Sequence, residues 1–478
     1  VMAATERLII INTGRDITSN EEVPPAVPLA ELADLINTSA IPATADARPV
    51  SAQITIDHPR HGWGARNFEL GAMIPDEVWG FQIADLNAAV TRRDRRAAHS
   101  PTVRWADLGA EHTAVDSPAI RLADLERTLG NPLETYLTER LGVSLPRSGD
   151  EVEDLIPLSV SSLSGWHLRR MLLDERLRAG SQWSQEELQR WSQRQRRKGA
   201  VPPLLFGSTA IEEATNTVDL LIAAAFPEPE PGSGTPPDSG LDAPTEQREV
   251  RLDLNGVQIH GTVGNIKGSR IVEIHPGKVK AEHFLQGWLR LMVLTCAEPQ
   301  VDWELTLVGV DKSSSGKMRP DSVTMRCTDP AAALGSLSTV VELYRVALQS
   351  PVVAPAATTM GFATGGLKAA REAWDGYSAH SGDRNNRWVR YAYGRLDFGD
   401  LMEIAPTHFE TGPNWIAADS RIECWAERIW GSVAESLGAP EVPDGVKESW
   451  LMRWVRKVWH AVTGSEPTEA SDLGESDD

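Results

Sequence analysis

Residues 250–295 read VRLDLNGVQIHGTVGNIKGSRIVEIHPGKVKAEHFLQGWLRLMVLT, and the change of apolar period within this stretch decides the fold class. Over 250–254 and 257–263 apolar and polar residues alternate, the two-residue period of a half-buried strand. A turn at Lys267, Gly268 and Ser269 leads into a third strand over 270–274, as expected of a hairpin. From Ala281 to Thr295 the apolar residues fall at helical spacing, and 303–310 reads as a fourth strand. Antiparallel hairpins that enter a helix and return to a strand specify a mixed α/β domain.

Upstream, 122–141 and 163–177 carry apolar residues at helical spacing, and 185–197 reads as a helix ending in Arg194, Arg196, Arg197 and Lys198. Basic residues suit a helix C-terminus because they offset the negative end of its dipole. Residues 227–245 hold six prolines and three glycines, too little apolar surface to fold, so 227–249 is expected to be a flexible insertion. Nearer the N-terminus, RLIII at 7–11 has a buried-strand pattern with no earlier strand to pair with, an expected entry into the middle of a fold. A short helix over 29–36 follows. Residues 50–115 look irregular, with short strands and turns around His58-Pro59 and Gly62-Trp63-Gly64 and a helix over 86–96. At the other end 447–462 is amphipathic, and the last 16 residues hold six acidic and no basic side chains, a composition expected to be disordered. The expected domains are therefore 1–115, 116–440 and 441–478.

With 478 residues, 41% hydrophobic and 24% charged, the chain is globular and long enough for more than one core. It shows no signal peptide and no apolar run long enough to span a bilayer, so a cytoplasmic protein without membrane contact is expected. Cys296, Cys327 and Cys424 are widely spaced, outside any metal-ligand pattern, and read as reduced thiols. The net charge of -20 repels polyanions overall, so any DNA contact must use local basic patches. Candidates are Arg92, Arg93, Arg95 and Arg96, then Arg194, Arg196, Arg197 and Lys198, then Lys278 and Lys280. Such runs are more often solvated faces than phosphate grips. SSSGK at 313–317 lacks the first glycine of a phosphate loop and reads as an ordinary loop.

The arrangement over 250–295 resembles the scaffold of PD-(D/E)xK nucleases. Such a site needs two carboxylates to hold Mg2+ and a lysine to orient the attacking water. Gly261-Thr262-Val263-Gly264 stands where those enzymes have a glycine followed three residues later by aspartate, and Val272-Glu273-Ile274-His275 stands in place of acid-x-Lys. One carboxylate remains, Gly264 replaces the other, and His275 replaces the lysine. A single carboxylate with a neutral imidazole is a poor seat for a hard cation, so no catalytic residue and no metal are expected. The plain alternative makes Glu273 and His275 ordinary strand residues.

Longer segments carry a wider resemblance. RLIIINTGRDITSNEEVPPAVPLAEL, IDHPRHGWGARNFE, IRLADLERTLGNPLETYLTERLGV, the stretch 256–297, AREAWDG and RWVRYAYG are similar, in family order, to the C-terminal part of RecC, the gamma subunit of exodeoxyribonuclease V (RecBCD). The resemblance implies the end of a helicase-like domain followed by a degenerate, inactive nuclease-like domain. It implies a non-catalytic subunit in a heterotrimer with RecB-like and RecD-like partners, which hold the ATP and Mg2+ while this chain binds no cofactor. The implied task is double-strand break repair by homologous recombination, splitting DNA ends and channelling the single strands, with Chi recognition by the complete subunit. RecC is about twice this long, so the portion building most of the Chi channel is expected to lie outside this chain. Two other readings remain open: an active metal-dependent exonuclease of the same fold class, and an acidic interaction module unconnected with DNA. An AddB-type nuclease would need four cluster-ligating cysteines, and the chain has three.

Overall fold

The computed structural model describes residues 8–16, 22–42, 48–59, 61–97, 119–145, 161–227, 240–312, 318–327, 329–377, 381–410, 418–437 and Arg456. The Pro-rich positions 228–239, the SSSGK loop and all but Arg456 of the expected C-terminal helix and tail lie outside these residues. The chain divides into a unit spanning Val1–Thr102 and one spanning Val103–Asp478.

The first unit contains helices α1 (Val27–Ser39), α2 (Val50–Ile54) and α3 (Ile83–Ala97) and a short 3-10 turn at Ala65–Phe68. Proline near the start of α1 supplies a preset φ and no orphan amide. Among the described residues of this unit only Asn67, Met73 and Ala89 are buried. The expected strand at 7–11 does not form: residues 8–11 lack strand pairing, and Ile9 and Ile11 are 74% and 92% exposed. An apolar run becomes a strand only where another edge accepts its backbone bonds, and the described residues of the unit offer none. The short strands expected over 50–115 are also absent from the described residues, where α2 and turns occur instead.

The second unit is a six-stranded mixed sheet with helices on both faces. Strand β1 (Ala119–Arg121) runs directly into helix α4 (Leu122–Gly130), α5 (Pro132–Thr135) and a π-helical turn at Tyr136–Arg140. Helices α6 (Ser162–Ala179), α7 (Gln185–Arg197) and α8 (Leu204–Ala225) follow. Ser184 and Glu187 form a capping box that fixes the start of α7. Strands β2 (Glu246–Leu254), β3 (Val257–Lys267) and β4 (Arg270–Ile274) then lead to helix α9 (Ala281–Ala297), strands β5 (Glu304–Lys312) and β6 (Met318–Arg326), and helices α10 (Pro330–Gln349), α11 (Ala356–Asp375), α12 (Arg387–Tyr393), α13 (Phe398–Met402) and α14 (Arg421–Leu437). β2 begins at Glu246, inside the stretch expected to be an unstructured insertion. Lys267 gathers the ends of that segment: its ammonium donates to the carbonyls of Leu241 and Ala243 and lies 5.5 Å from the Phe226 ring centroid.

Strand order is β1-β3-β4-β5-β6, with β2 on the remaining edge of β3. β1 runs parallel to β3 at 258–260, whereas β4 pairs with it antiparallel only at Ile266↔Ile271 and Lys267↔Arg270. Because β2 occupies one edge of β3, β1 and β4 share the other and leave a gap between them. The β2–β3 register shifts opposite that gap, and Asn265 there has φ 59°, the left-handed conformation that asparagine tolerates.

Alternation along β4 sorts its side chains between two cores. Ile271 joins the larger core with α4, α9, α10 and α14; Val272 and Ile274 join the smaller core with α6, α7 and α8. Close approach of α9 to the sheet requires Gly287, where an added Cβ would lie 2.9 Å from a Leu305 methyl. Helix α10 is long and apolar enough to cross a membrane by length and composition, yet its Leu337, Val340, Leu343 and Ala347 belong to the larger core. A buried network closes the C-terminal helices: Arg421 donates to Glu410 at 2.6 Å and to the Pro351 carbonyl at 2.7 Å, while Trp425 Nε1 and the Thr407 amide also donate to Glu410. The network ties α14, through Arg421 and Trp425, to the turn at 407–410 and to Pro351, which suits a buried charge pair with hydrogen-bonded partners.

Trp288 of α9 is fully buried and donates through Nε1 to Ser436 Oγ of α14 at 2.8 Å. Trp288→Ala is expected to cost about 3–5 kcal/mol, by cavity formation and loss of the bond, measured as the shift in urea unfolding free energy.

Candidate functional site

Odd-numbered residues of β4 face α9, so Glu273 and His275 emerge on the same side of the sheet as Ile271. If the hairpin register Ile266↔Ile271 and Lys267↔Arg270 continued, Gly264 would stand opposite Glu273. The register shift in β3 and the ladder's end come just before that pair, at the mouth of the gap between β1 and β4. Gly264 has an ordinary backbone φ, and an added Cβ would find its nearest neighbour, Gln247 Cγ, at 3.8 Å. Space for a side chain therefore exists there. What is missing is its charge.

Glu273 is 9% exposed, and its carboxylate accepts a hydrogen bond from Arg290 of α9. The same guanidinium donates from Nε to Glu126 Oε1 of α4 at 2.7 Å and from Nη2 to Glu126 Oε2 at 3.2 Å. A bidentate fork on one carboxylate and a third bond to another use the planar donor geometry of arginine. Burial alone would lower the pKa of Arg290, but the bonds and charges of Glu126 and Glu273 raise it above the normal value. Two carboxylates thus share one fixed organic cation. Among the described residues no group of three or more His, Cys, Asp and Glu side chains is arranged to hold a metal ion.

His275 stacks on His283 of α9, ring centroids 4.0 Å apart and planes 6° from parallel. His283 Nδ1 accepts from the Lys280 amide at 3.2 Å, the back-reaching half of a capping box. Burial first, then His283, Arg170 and Arg290, push the pKa of His275 down to about 3. Burial also lowers that of His283, opposed by Glu282. His275 is therefore a neutral ring where a lysine would be charged. The loop after it is clamped from the other face by α6, whose Arg169 donates to the Pro276 carbonyl at 2.8 Å.

The basic candidates are distributed over several places. Arg92 and Arg93 are exposed on α3 in the first unit, whereas the side chains of Arg95 and Arg96 lie outside the described residues. Arg194, Arg196, Arg197 and Lys198 cluster at the exposed end of α7 in the second unit, with Arg194 3.5 Å from Glu175 and Arg196 donating to Ser208 Oγ at 2.9 Å. Lys278 lies 3.4 Å from Asp311, and Lys280 lies 3.5 Å from Glu282. These last two charges are offset locally. Arg290, Glu126 and His283 were missed by sequence reasoning. A single arginine inside the apolar run LQGWLRLMVL was the available signal, since a charge on a buried helix face requires a partner.

Comparison with known proteins places this geometry in context. Residues 117–366 match the family model described as the RecC C-terminal domain. The chain is similar to the RecBCD enzyme subunit RecC of Mycobacterium tuberculosis, 28% identical over 90% of this chain and 36% of the relative. It is also similar to the protein of that description from Mycolicibacterium smegmatis, at 26% over 76% of this chain and 30% of the relative. With that from Escherichia coli it shares 24% over 74% of this chain and 28% of the relative. The chain thus spans about a third of the length of the curated relatives it matches, a smaller share than the half expected from the resemblance.

The depressed pKa of His275 fixes the sign of a pH effect. Between about 3 and the unfolded value of 6.5 the unfolded chain binds the extra proton, so stability is complete above 6.5 and falls as pH drops through that window. His275→Phe keeps an aromatic stack without the titration. Its stability is expected to fall less steeply than the parent's below pH 6.5, by up to about 1.4 kcal/mol per pH unit, in urea titrations across pH 4–7.5.

Proposed function

Because the chain belongs to the family of RecC C-terminal domains, we propose that it is a non-catalytic, DNA-guiding and scaffolding part of a RecBCD-type helicase-nuclease. In this reading its larger α/β unit is a degenerate nuclease-like domain that steers strands without cutting them. The observation that carries the proposal is the commitment of Glu273 to Arg290, which also engages Glu126. Magnesium keeps several waters and needs anionic oxygen ligands in near-octahedral array. At this strand end Gly264 offers no carboxylate, His275 is neutral, and the remaining strand acid is held by a guanidinium that it shares with Glu126. The alternative of an active exonuclease lacks both a second strand carboxylate and an orienting lysine.

The working complex would then contain RecB-like and RecD-like subunits, with ATP and Mg2+ bound on those partners and this chain holding neither. It would act in the cytoplasm, in double-strand break repair by homologous recombination, on DNA ends. The net charge of -20 suits such a setting: a subunit surrounded by partners needs cations only where a strand passes, and elsewhere its acidity discourages nonspecific polyanion binding.

Co-expression of the complete subunit with its RecB-like and RecD-like partners tests this. The expected result is a stable ternary complex whose ATP-dependent degradation of linear DNA proceeds at the parental rate in Glu273→Gln. Loss of cleavage in an intact Glu273→Gln complex would make Glu273 a catalytic carboxylate, and failure to co-purify with either partner would contradict the scaffolding role.

A further inference from the structure

Helix α8 begins in an unusual way. Its first three residues, Leu204, Leu205 and Phe206, are 89%, 76% and 62% exposed, a contiguous apolar tip following Pro202 and Pro203. Isolated exposed apolar residues are ordinary, whereas three in a row at one point are not. Leu204 has φ 54°, a left-handed conformation that is strained for a residue with a Cβ. The turn closes tightly beneath it: a Cβ on Gly207 would lie 2.1 Å from the Pro202 carbonyl oxygen. The helix behind the tip is anchored in the smaller core through Ile211, Ala214, Val218, Leu221 and Ile222. The fold thus holds a strained apolar point on a rigid support, and local strain of this kind concentrates at functional positions.

Charge lies beside it. Arg196 donates to Ser208 Oγ at 2.9 Å, which sets the end of α7, with Arg194, Arg197 and Lys198, against the first turn of α8. Four cations fall within five residues, and among the described residues the carboxylate at contact distance is Glu175, on Arg194. Glu212 and Glu213 lie further along the helix, about 9 and 10.5 Å from Phe206 at 1.5 Å per residue. A polyanion that presents flat apolar faces is single-stranded nucleic acid; a duplex offers the phosphates but stacks its base faces away.

We propose that residues 204–206 are a base-stacking site for single-stranded DNA, with Phe206 taking a base face and Arg196, Arg197 and Lys198 holding the adjacent phosphates. The proposal rests on the DNA-guiding reading above and gives it a place on the molecule. Stacking supplies a contact blind to sequence, since every base has a π-face, and the cations supply the salt-dependent part.

Fluorescence anisotropy of a labelled oligothymidylate with the full chain provides the test, with a duplex of equal length as control. Phe206→Ala is expected to weaken single-strand binding about tenfold with little effect on the duplex, Phe206→Trp to restore it, and the melting temperature to stay unchanged because the side chain is exposed. Arg196→Glu with Arg197→Glu is expected to reduce the slope of log affinity against log salt by about 1.4, from roughly 0.7 per phosphate contact. Parental single-strand affinity in both variants would overturn the stacking site while leaving the DNA-guiding reading intact. Absence of DNA binding by the chain, both alone and assembled with partner subunits, would overturn both. Loss of partner co-purification in Phe206→Ala, with DNA affinity unchanged, would assign the tip to a protein contact and also overturn the proposal.

Discussion

One guanidinium organises the centre of the larger unit. Arg290 extends from α9 to Glu273 on β4 and Glu126 on α4, so a helix, a strand and a second helix from separate parts of the sequence meet on a single planar cation. Removing Arg290 would strand two carboxylates in a site where all three side chains are at most 23% exposed, and an unpaired buried charge costs about 3–5 kcal/mol, whereas removing either glutamate leaves the guanidinium paired with the other. That constraint fixes the approach of α4 and α9 to the gap between β1 and β4. It also determines the chemistry, since a carboxylate held by an arginine has little left with which to seat a hard metal ion.

Around that point the packing is built from close contacts that depend on small residues. Gly287 lets α9 lie against Leu305, and Gly261 lets α4 approach β3, where an added Cβ would sit 2.6 Å from Leu122 Cβ. The sheet's other face carries α6, α7 and α8, so β4 and β5 are covered on both sides. A strand end enclosed in this way can position side chains accurately, and His275 stacked on His283 shows the result: a neutral aromatic pair in the place of a mobile lysine.

The parts legible in the sequence were those with a strong period. Strands β2 and β4 and helices α7 and α9 appear close to where alternation and helical spacing put them. The edge strand β6 was missed because Pro320 and its charged neighbours mask the pattern; a proline is tolerated there because, among the described residues, β6 pairs only with β5. Helix α8 was missed because Gly207 and threonines at 209, 215 and 217 are weak helix formers, and its helicity comes from packing against β4 and β5. The RLIII run failed in the opposite direction: it has strand composition, but strand formation needs an edge to accept it. At the site, Glu273 and His275 were visible as altered motif positions, whereas the capture of Glu273 by Arg290 was not, because the contact joins residues whose partners are set by tertiary structure alone.

Anomalous diffraction from crystals soaked in Mn2+ distinguishes an arginine-held strand end from a metal site. No manganese peak is expected beside Glu273, with the Arg290 guanidinium still bonded to Glu126 and Glu273. A manganese ion coordinated by Glu273 and a second carboxylate, with Arg290 displaced, would contradict that expectation.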